Sequence, residues 1–314
     1  MEITRDTTDS PGGAYQRHPQ TGELTGVLFK RAAKLFSADQ RAGLKHICQI
    51  FNAAGLTSVH DAIVSSQDPQ TYQATPASQG LRSLNPDSIG EGLVPGELTL
   101  RVYMLMWHEH FDALKAVGLR TGFGNEMLRI SGIKLIADSA ISGRTAWLSQ
   151  PYEGSTNDYG IRTTESAELE EMATQIHKAG FQICVHANGD AAIDMVLTAY
   201  EKAIAVHLRA EPRYRIEHCT VANPSILDQI KKLGCIATPF CTYVYYYGEK
   251  MKYYGEERLK WMFAQRSFID AGIISSGATD LCAGALSAAD GHPELCGAHG
   301  QLWACLGCES ENHR

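Results

Sequence analysis

Hydrophobic positions along the chain follow two alternating rhythms. Short runs of aliphatic and β-branched residues are bounded by polar breaks. Between them lie longer stretches in which apolar residues recur every three or four positions. The short runs are "LTSVHDA" (Leu56–Ala62), "LTLRVYMLM" (Leu98–Met106), "RISGIKLIAD" (Arg129–Asp138), "FQICVHA" (Phe181–Ala187), "RYRIEHC" (Arg213–Cys219), "CIATPF" (Cys235–Phe240) and "IISSGATD" (Ile273–Asp280). Helical stretches separate most of them, among them "ESAELEEMATQIHKAG", "AAIDMVLTAYEKAIAVH" and "NPSILDQIKKLG", the last with Asn223 as its N-cap. The pattern predicts seven strands alternating with helices, which means parallel βα units. Seven such units in about 280 residues is one short of a (β/α)8 TIM barrel, whose usual size is roughly 250 residues. An open doubly wound sheet is the competing architecture. It lacks support, because no Gly-rich phosphate loop follows a strand, and "GFGNE" at Gly122–Glu126 has neither the spacing nor the strand context.

In a barrel the carboxyl ends of the strands form the active face. The first visible strand ends at His60-Asp61, the third carries Lys134 and closes on Asp138, and the fourth ends at His186. The fifth ends at Glu217-His218 and the seventh at Asp280. Imidazole and carboxylate donors on separate rigid strands suit a divalent metal such as zinc. Each residue also has a plain structural reading. A strand-end histidine is commonly a hydrogen-bonded polar residue, Lys134 can pair with Asp138 or Glu217, and Asp280 can cap a turn. The joint order Lys, His, His, Asp, one per strand, favours the metal site.

Composition narrows the class. The chain has 314 residues, 44% hydrophobic and 20% charged, with a net charge of −7. No basic run is present to meet phosphates, so neither nucleic acid nor an anionic membrane surface is expected as a partner. No apolar stretch approaches membrane-spanning length, and the N-terminus is polar without an apolar signal core. A cytoplasmic protein is expected. Of the nine cysteines, those from Cys48 to Cys282 are scattered among apolar residues and read as reduced core thiols.

The stretches "GLTSVHDA", "GIKLIADSAISGRTA", "VHANGDAAID", "RIEHC" and "QRSFIDAGIISSGATD" resemble the amidohydrolase superfamily, in its amidohydrolase-3 branch of YtcJ-like and N-substituted formamide deformylase-like proteins. The resemblance spans roughly Ile3 to Asp280, and the "VHANGDAAID"/"RIEHC" pair carries it most specifically. It implies a metal-dependent hydrolase acting on a non-peptide carbon–nitrogen bond of an amide or formamide type, with a small-molecule amide as substrate. It implies Lys134, His186, His218 and Asp280 as metal ligands for one or two zinc or other divalent ions, with Lys134 in carboxylated form as a bridge. Asp280 would also be the catalytic residue that takes a proton from metal-activated water and passes it to the leaving nitrogen. Arg144, in "SGRTA", would bind substrate. The aromatic run Tyr243–Tyr247 reads either as pocket lining or as a lid or interface patch, the second being preferred.

Two departures accompany the resemblance. The family's first-strand His-x-His pair has no counterpart before "GLTSVHDA". His108 and His110 form "HEH", but after the second visible strand, where they read as a loop or helix start. The expectation is an incomplete barrel with strands 2 to 8 present, and with strand 1 and the flanking β-domain missing. The tail after Asp280 does not read as the expected last helix. Cys296, Cys305, Cys308 and His313 hold a single C-x2-C pair and irregular spacings, which argues against a zinc knuckle. Codons can be chosen for "HPELCGAHGQLWACLGCESENHR" whose shifted frame resembles the family's continuation. The chain thus divides into a partial barrel domain over 1–281 and an aberrant, frameshifted tail over 282–314. The actual codons test this reading, and a shifted frame that yields no such peptide ends it.

Three alternatives stand beside the enzyme. One is a catalytically inactive fragment lacking the His-x-His. Another is a non-catalytic binding or assembly module using open sheet edges, including assembly as a homo-oligomer. The last is a metal-free barrel enzyme with Lys134 as a Schiff-base lysine, which borohydride trapping would detect.

Overall fold

The computed structural model describes residues 13–17, 21, 24–30, 40–65, 68–73, 98–240 and 243–278. Two compact units are present, Met1–Ile47 and Cys48–Arg314. The first contains an antiparallel hairpin of β1 (Gly13–Arg17) and β2 (Leu24–Lys30), with Ala14 opposite Phe29 and an irregularity between Tyr15 and Arg17. The hydrophobic pattern did not signal this hairpin, because polar residues and glycines interrupt its alternation. Helix α1 (Gln40–Ala53) crosses the boundary between the units.

Among the described residues the second unit holds six parallel strands in sequential order. They are β3 (Ser58–Val64), β4 (Arg101–Trp107), β5 (Leu128–Ile136), β6 (Gln182–Ala187), β7 (Arg215–His218) and β8 (Ile236–Thr238). Sequential parallel order with intervening helices is the topology of an α/β barrel, here incomplete. Helices α2 (Asp68–Gln73), α3 (Phe111–Ala116), α4 (Ser166–Lys178), α5 (Asp190–Val206) and α6 (Pro224–Leu233) lie between the strands. After β8 come α7 (Tyr243–Tyr247), a 3-10 turn (Gly248–Tyr254), α8 (Glu256–Leu259) and α9 (Gln265–Asp270).

Alternation along the central strands explains their sequence. Ile133 and Leu135 on β5, Ile183 and Val185 on β6, and Ile216 on β7 are buried. They face one way, and Lys134, Ile136, Cys184, His186, Arg215 and Glu217 face the other. Helix α5 packs through Ile193, Val196, Leu197 and Tyr200, all fully buried. Asn223 caps α6, accepting a hydrogen bond from Ile226 N at 2.9 Å, with Pro224 at the first helical position and Gly234 closing the helix at φ 64°. This is the cap that the sequence predicts.

Two strands differ from expectation. β3 does not stop at His60-Asp61 but continues to Val64, so His60 lies within the ladder, paired with Tyr103. The expected strand over Ile273–Asp280 is reduced, among the described residues, to a parallel bridge between Ser275 and Ala237. Hydrogen bonds from Ala237 N to Ile274 O (3.2 Å), Ser276 N to Ala237 O (3.0 Å) and Ala278 N to Pro239 O (3.1 Å) hold it beside β8. Asp280 and the tail over 282–314 lie outside the described residues. Cys48, Cys184, Cys219 and Cys235 are free and buried, as core thiols. Among the described residues no helix is long and apolar enough to cross a membrane.

Candidate active site

The carboxyl ends of β5, β6 and β7 bring three of the candidate residues to one cavity. Strand register sets Ile136 beside His186 and His186 beside Glu217. Lys134 is 3% exposed. The cavity has a volume of about 190 Å³, and its polar lining is Lys134, His186, Asn188, Glu217, His218 and Thr220. Its apolar lining includes Ile136, Ile141, Phe240, Tyr243 and Phe263, with the Phe240 ring centroid 4.1 Å from that of His218.

Glu217 and His218 are consecutive, yet both line the cavity. A regular strand would send them to opposite faces. His218 solves this with φ 71° and Cys219 with φ 43°. A left-handed histidine at a strand end is costly and persists only where the surroundings fix it. Here it swings the imidazole inward, so that the His218 and His186 ring centroids stand 4.1 Å apart, edge to face.

His186 is oriented from behind. Its Nε2 meets the Ser139 carbonyl oxygen at 3.1 Å and stands 3.6 Å from Asp138 Oδ1. With that carbonyl accepting, Nε2 carries the proton and Nδ1 keeps a lone pair for the cavity. Burial, and then the Lys134 charge, push His186 down to about 4. Burial, and then His186 and Lys134, push His218 well below the ordinary histidine value. Both rings are therefore neutral at pH 7, the state in which imidazole binds metal. Among the described residues no hydrogen bond reaches His186 Nδ1 or either nitrogen of His218.

Sequence alone marks Asp138 as a strand end and a possible partner of Lys134, but not its role in a scaffold with Ser139, Asn188 and Gly189 behind His186. Asp138 is buried and accepts from the backbone N–H groups of Trp147 (2.9 Å), Asn188 (2.9 Å) and Gly189 (2.8 Å). Burial raises it to about 7 even against those three bonds. Asn188 donates from Nδ2 to the Ser139 carbonyl at 2.9 Å, and the same nitrogen lies 3.1 Å from His186 Nε2. Its Oδ1 accepts from Thr220 Oγ1 at 2.6 Å. Gly189 has no alternative here, because a Cβ would stand 1.8 Å from the Trp147 carbonyl oxygen. The only signal for Asn188 and Gly189 was the polar cluster Asn-Gly-Asp directly after a strand.

Glu217 carries a separate network. Arg215 grips it with two bonds, Nε to Oε1 at 2.7 Å and Nη2 to Oε2 at 3.0 Å, and Thr238 Oγ1 donates to Oε2 at 2.9 Å. Burial opposes its ionisation, but the Arg215 and Lys134 charges outweigh burial and hold it down at about 2.

The remaining candidates stand elsewhere. Arg144 does not line the cavity. It pairs with Asp158 at 3.2 Å and lies over the rings of Tyr152 and Tyr253. Of the tyrosine run, Tyr243 lines the cavity, and its ring centroid is 5.0 Å from that of Tyr247. His108–His110 form a 3-10 turn after β4 that leads into α3. Asp280 lies outside the described residues. Among the described residues no group of three or more His, Cys, Asp or Glu could hold a metal ion. The donor set is the His186–His218 pair beside Lys134. It fits part of a catalytic zinc site, which commonly has three protein ligands.

The family model described as Amidohydrolase family matches residues 1–298. YtcJ of Bacillus subtilis (strain 168) is 25% identical over 294 residues, covering 88% of this chain and 51% of that protein. The N-substituted formamide deformylase of Arthrobacter pascens is 26% identical over 306 residues, covering 90% of this chain and 52% of that protein. The chain thus spans about half the length of these curated relatives. Among solved structures, an uncharacterized metal-dependent hydrolase from Pyrococcus furiosus aligns with a TM-score of 0.66 at 22% identity, over 88% of this chain and 54% of that one. Its counterpart from Pyrococcus horikoshii OT3 aligns at 0.64, also at 22% identity, over 88% and 52%. At this identity these two likenesses establish the fold.

Proposed function

This chain belongs to the amidohydrolase family, and on that premise we propose that it hydrolyses a non-peptide carbon–nitrogen bond of a small amide or formamide, in the cytoplasm, with a divalent metal as cofactor. One observation carries the reading: the imidazoles of His186 and His218, with ring centroids 4.1 Å apart, line one cavity together with the buried Lys134. His186, through Nδ1, and His218 would hold the ion, together with Lys134 and Asp280. Zinc suits imidazole donors. When bound, the ion supplies Lewis-acid polarisation of the carbonyl and an acidified water. Lys134 in carboxylated form would allow two ions. As an ammonium it would leave one, beside the Arg215–Glu217 pair. Asp280 would accept the proton and return it to the leaving nitrogen. With Nε2 donating to the Ser139 carbonyl at 3.1 Å, Nδ1 would be the nitrogen left to bind the ion.

A second reading is a fold of this family that binds small amides without hydrolysing them, alone or as a homo-oligomer. It is favoured by the absence, among the described residues, of any group of three or more His, Cys, Asp or Glu able to hold a metal. Metal content of the purified chain, measured by mass spectrometry beside His186→Ala and His218→Ala, separates the two. Near-stoichiometric zinc that is lost in both variants is the expected result. Metal at background in the parent chain would overturn the hydrolase reading and leave the binding one.

A further inference from the structure

The loop after β5 and the segment after β8 are built as one piece. Residues 137–165 and 243–263 share a hydrophobic cluster that includes Ile141, Leu148, Tyr152, Met251, Tyr254 and Met262. Its buried hydroxyls are satisfied within it. Tyr254 Oη donates to the Ile141 carbonyl at 2.9 Å and Tyr152 Oη to the Ala146 carbonyl at 2.8 Å. The backbone joins too, through Glu153 N to Tyr253 O at 2.9 Å. Arg258 Nη2 adds bonds to the carbonyls of Gln150 (2.8 Å) and Pro151 (3.0 Å).

Arg144 fastens this piece. Its guanidinium carbon lies 5.2 Å from the ring centroid of Tyr152, on the loop, and 5.2 Å from that of Tyr253, on the segment. Asp158 holds it at 3.2 Å, and its backbone sits at φ 53°, a left-handed conformation that arginine adopts only under constraint.

The underside of the piece meets the cavity. Ile141 comes from the loop, and Tyr243 and Phe263 come from the segment. Phe240 continues the surface, 5.9 Å from the Tyr243 ring centroid and 4.1 Å from that of His218. The cavity therefore has two chemistries. One part of the lining offers His186, His218 and Lys134, and the other is a contiguous aromatic and aliphatic wall, Phe240–Tyr243–Phe263, that abuts His218. A charged substituent pressed on that wall would lose its water without gaining a partner. An aromatic one would gain ring contacts and buried area. The volume, about 190 Å³, somewhat exceeds the roughly 150 Å³ in which an engineered apolar cavity holds benzene.

We infer that this wall is the subsite for the non-reacting substituent, that the substrates are small neutral amides bearing one aromatic or branched apolar group, and that Arg144 is a positioning residue of the wall. The inference rests on reading the cavity as the hydrolytic site. Its test is binding rather than turnover: calorimetric titration of the full chain with acetanilide, and with acetamide and 4-carboxyacetanilide as comparison probes. Acetanilide is expected to bind about ten-fold more tightly than either, the order set by one ring's contacts and area. Phe263→Ala should weaken acetanilide about ten-fold, and Phe263→Leu and Ile141→Ala less. Arg144→Lys should weaken it as much as Arg144→Ala, because lysine keeps the charge for Asp158 and loses the flat face between two rings. Rescue by lysine would overturn the positioning role. Acetamide binding as tightly as acetanilide, or no acetanilide binding at all, would overturn the subsite, as would unchanged acetanilide affinity in the Phe263 and Ile141 variants. If Phe263→Ala fails to fold, Phe263→Leu and Ile141→Ala decide. A chain that binds acetanilide without metal or hydrolysis refutes the proposed reaction and keeps the subsite. Hydrolysis of amides with no preference for the ring does the reverse.

Discussion

Two groups of histidines, one buried and one half-buried, sit at opposite ends of the same strands. At the amino ends, His177 near the end of α4 is fully buried, and both its ring nitrogens are used, Nδ1 by the Tyr214 hydroxyl and Nε2 by the His207 carbonyl. Arg209 completes that corner, bonding the carbonyls of His177 (3.2 Å) and Phe181 (2.8 Å). At the carboxyl ends, His186 has one nitrogen used and His218 none among the described residues. Burial lowers the pKa of all three histidines. What separates them is the lone pairs: the first group spends them on the fold, and the second aims them at a cavity. In barrels the amino face serves stability and the carboxyl face serves chemistry, and here the accounting of ring nitrogens follows that division.

The largest expected effect breaks or keeps this division outright. His186→Ala and His218→Ala should lose bound metal completely, whereas His177→Leu should retain it at the parent level, as read by mass spectrometry of folded protein. Metal loss in His177→Leu equal to that in His218→Ala would collapse the distinction between the two ends.

The next effect appears in pH. Burial pushes His186 down to about 4 in the folded chain, from about 6.5 for an ordinary histidine. Between those values the unfolded chain takes up a proton that the folded chain refuses. Stability therefore falls as pH drops from 6.5 to 4, by at most about 3 kcal/mol from this group. Asp138 runs the other way. It is raised from 3.8 to about 7, so the folded chain holds the extra proton and gains stability as pH falls from 7 towards 3.8. With metal stripped by a chelator, urea midpoints across this window should decline less steeply in His186→Gln and more steeply in Asp138→Asn. Equal slopes in both variants would show that neither group sets the acid response.

His177→Leu should cost about 1–3 kcal/mol through the stranded Tyr214 hydroxyl and His207 carbonyl, measured as a lower urea midpoint. No loss of stability would mean that the saturated histidine contributes little to the fold.

These contrasts also explain what was legible in the sequence. The central strands were readable because parallel strands buried on both faces leave continuous runs such as "GIKLIAD" and "FQICVHA". His186 and His218 were visible as histidines at the ends of those runs. His218 needed more than its position, since alternation alone would turn it away from the cavity, and its φ of 71° is not written in any residue type. The aromatic wall was illegible for another reason. Ile141, Phe240 and Phe263 come from segments with no period in common, and only the tertiary fold puts them side by side. Arg144 was expected to bind substrate only through the family resemblance of "SGRTA". Its guanidinium is instead occupied by Asp158, Tyr152 and Tyr253, partners drawn from the loop and segment that no local pattern connects.

The smallest effect tests how local the two ends are. Asn223 starts α6 five residues after His218, and its side chain accepts a single hydrogen bond, 2.9 Å from Ile226 N. Asn223→Ala should cost about 1 kcal/mol, the usual worth of an N-cap. The His218 conformation is held independently of that cap. Val221 N donates to Asn188 O at 2.8 Å, Phe263 N donates to Thr220 O at 2.9 Å, and Thr220 Oγ1 bonds Asn188 at 2.6 Å, so the chain leaving β7 is fixed before the helix begins. Metal retention in Asn223→Ala should therefore equal that of the parent while the urea midpoint falls slightly. A disproportionate loss of metal would show that the cap on α6 helps to aim His218, and that the chemistry of the carboxyl end leans on the helix packed behind it.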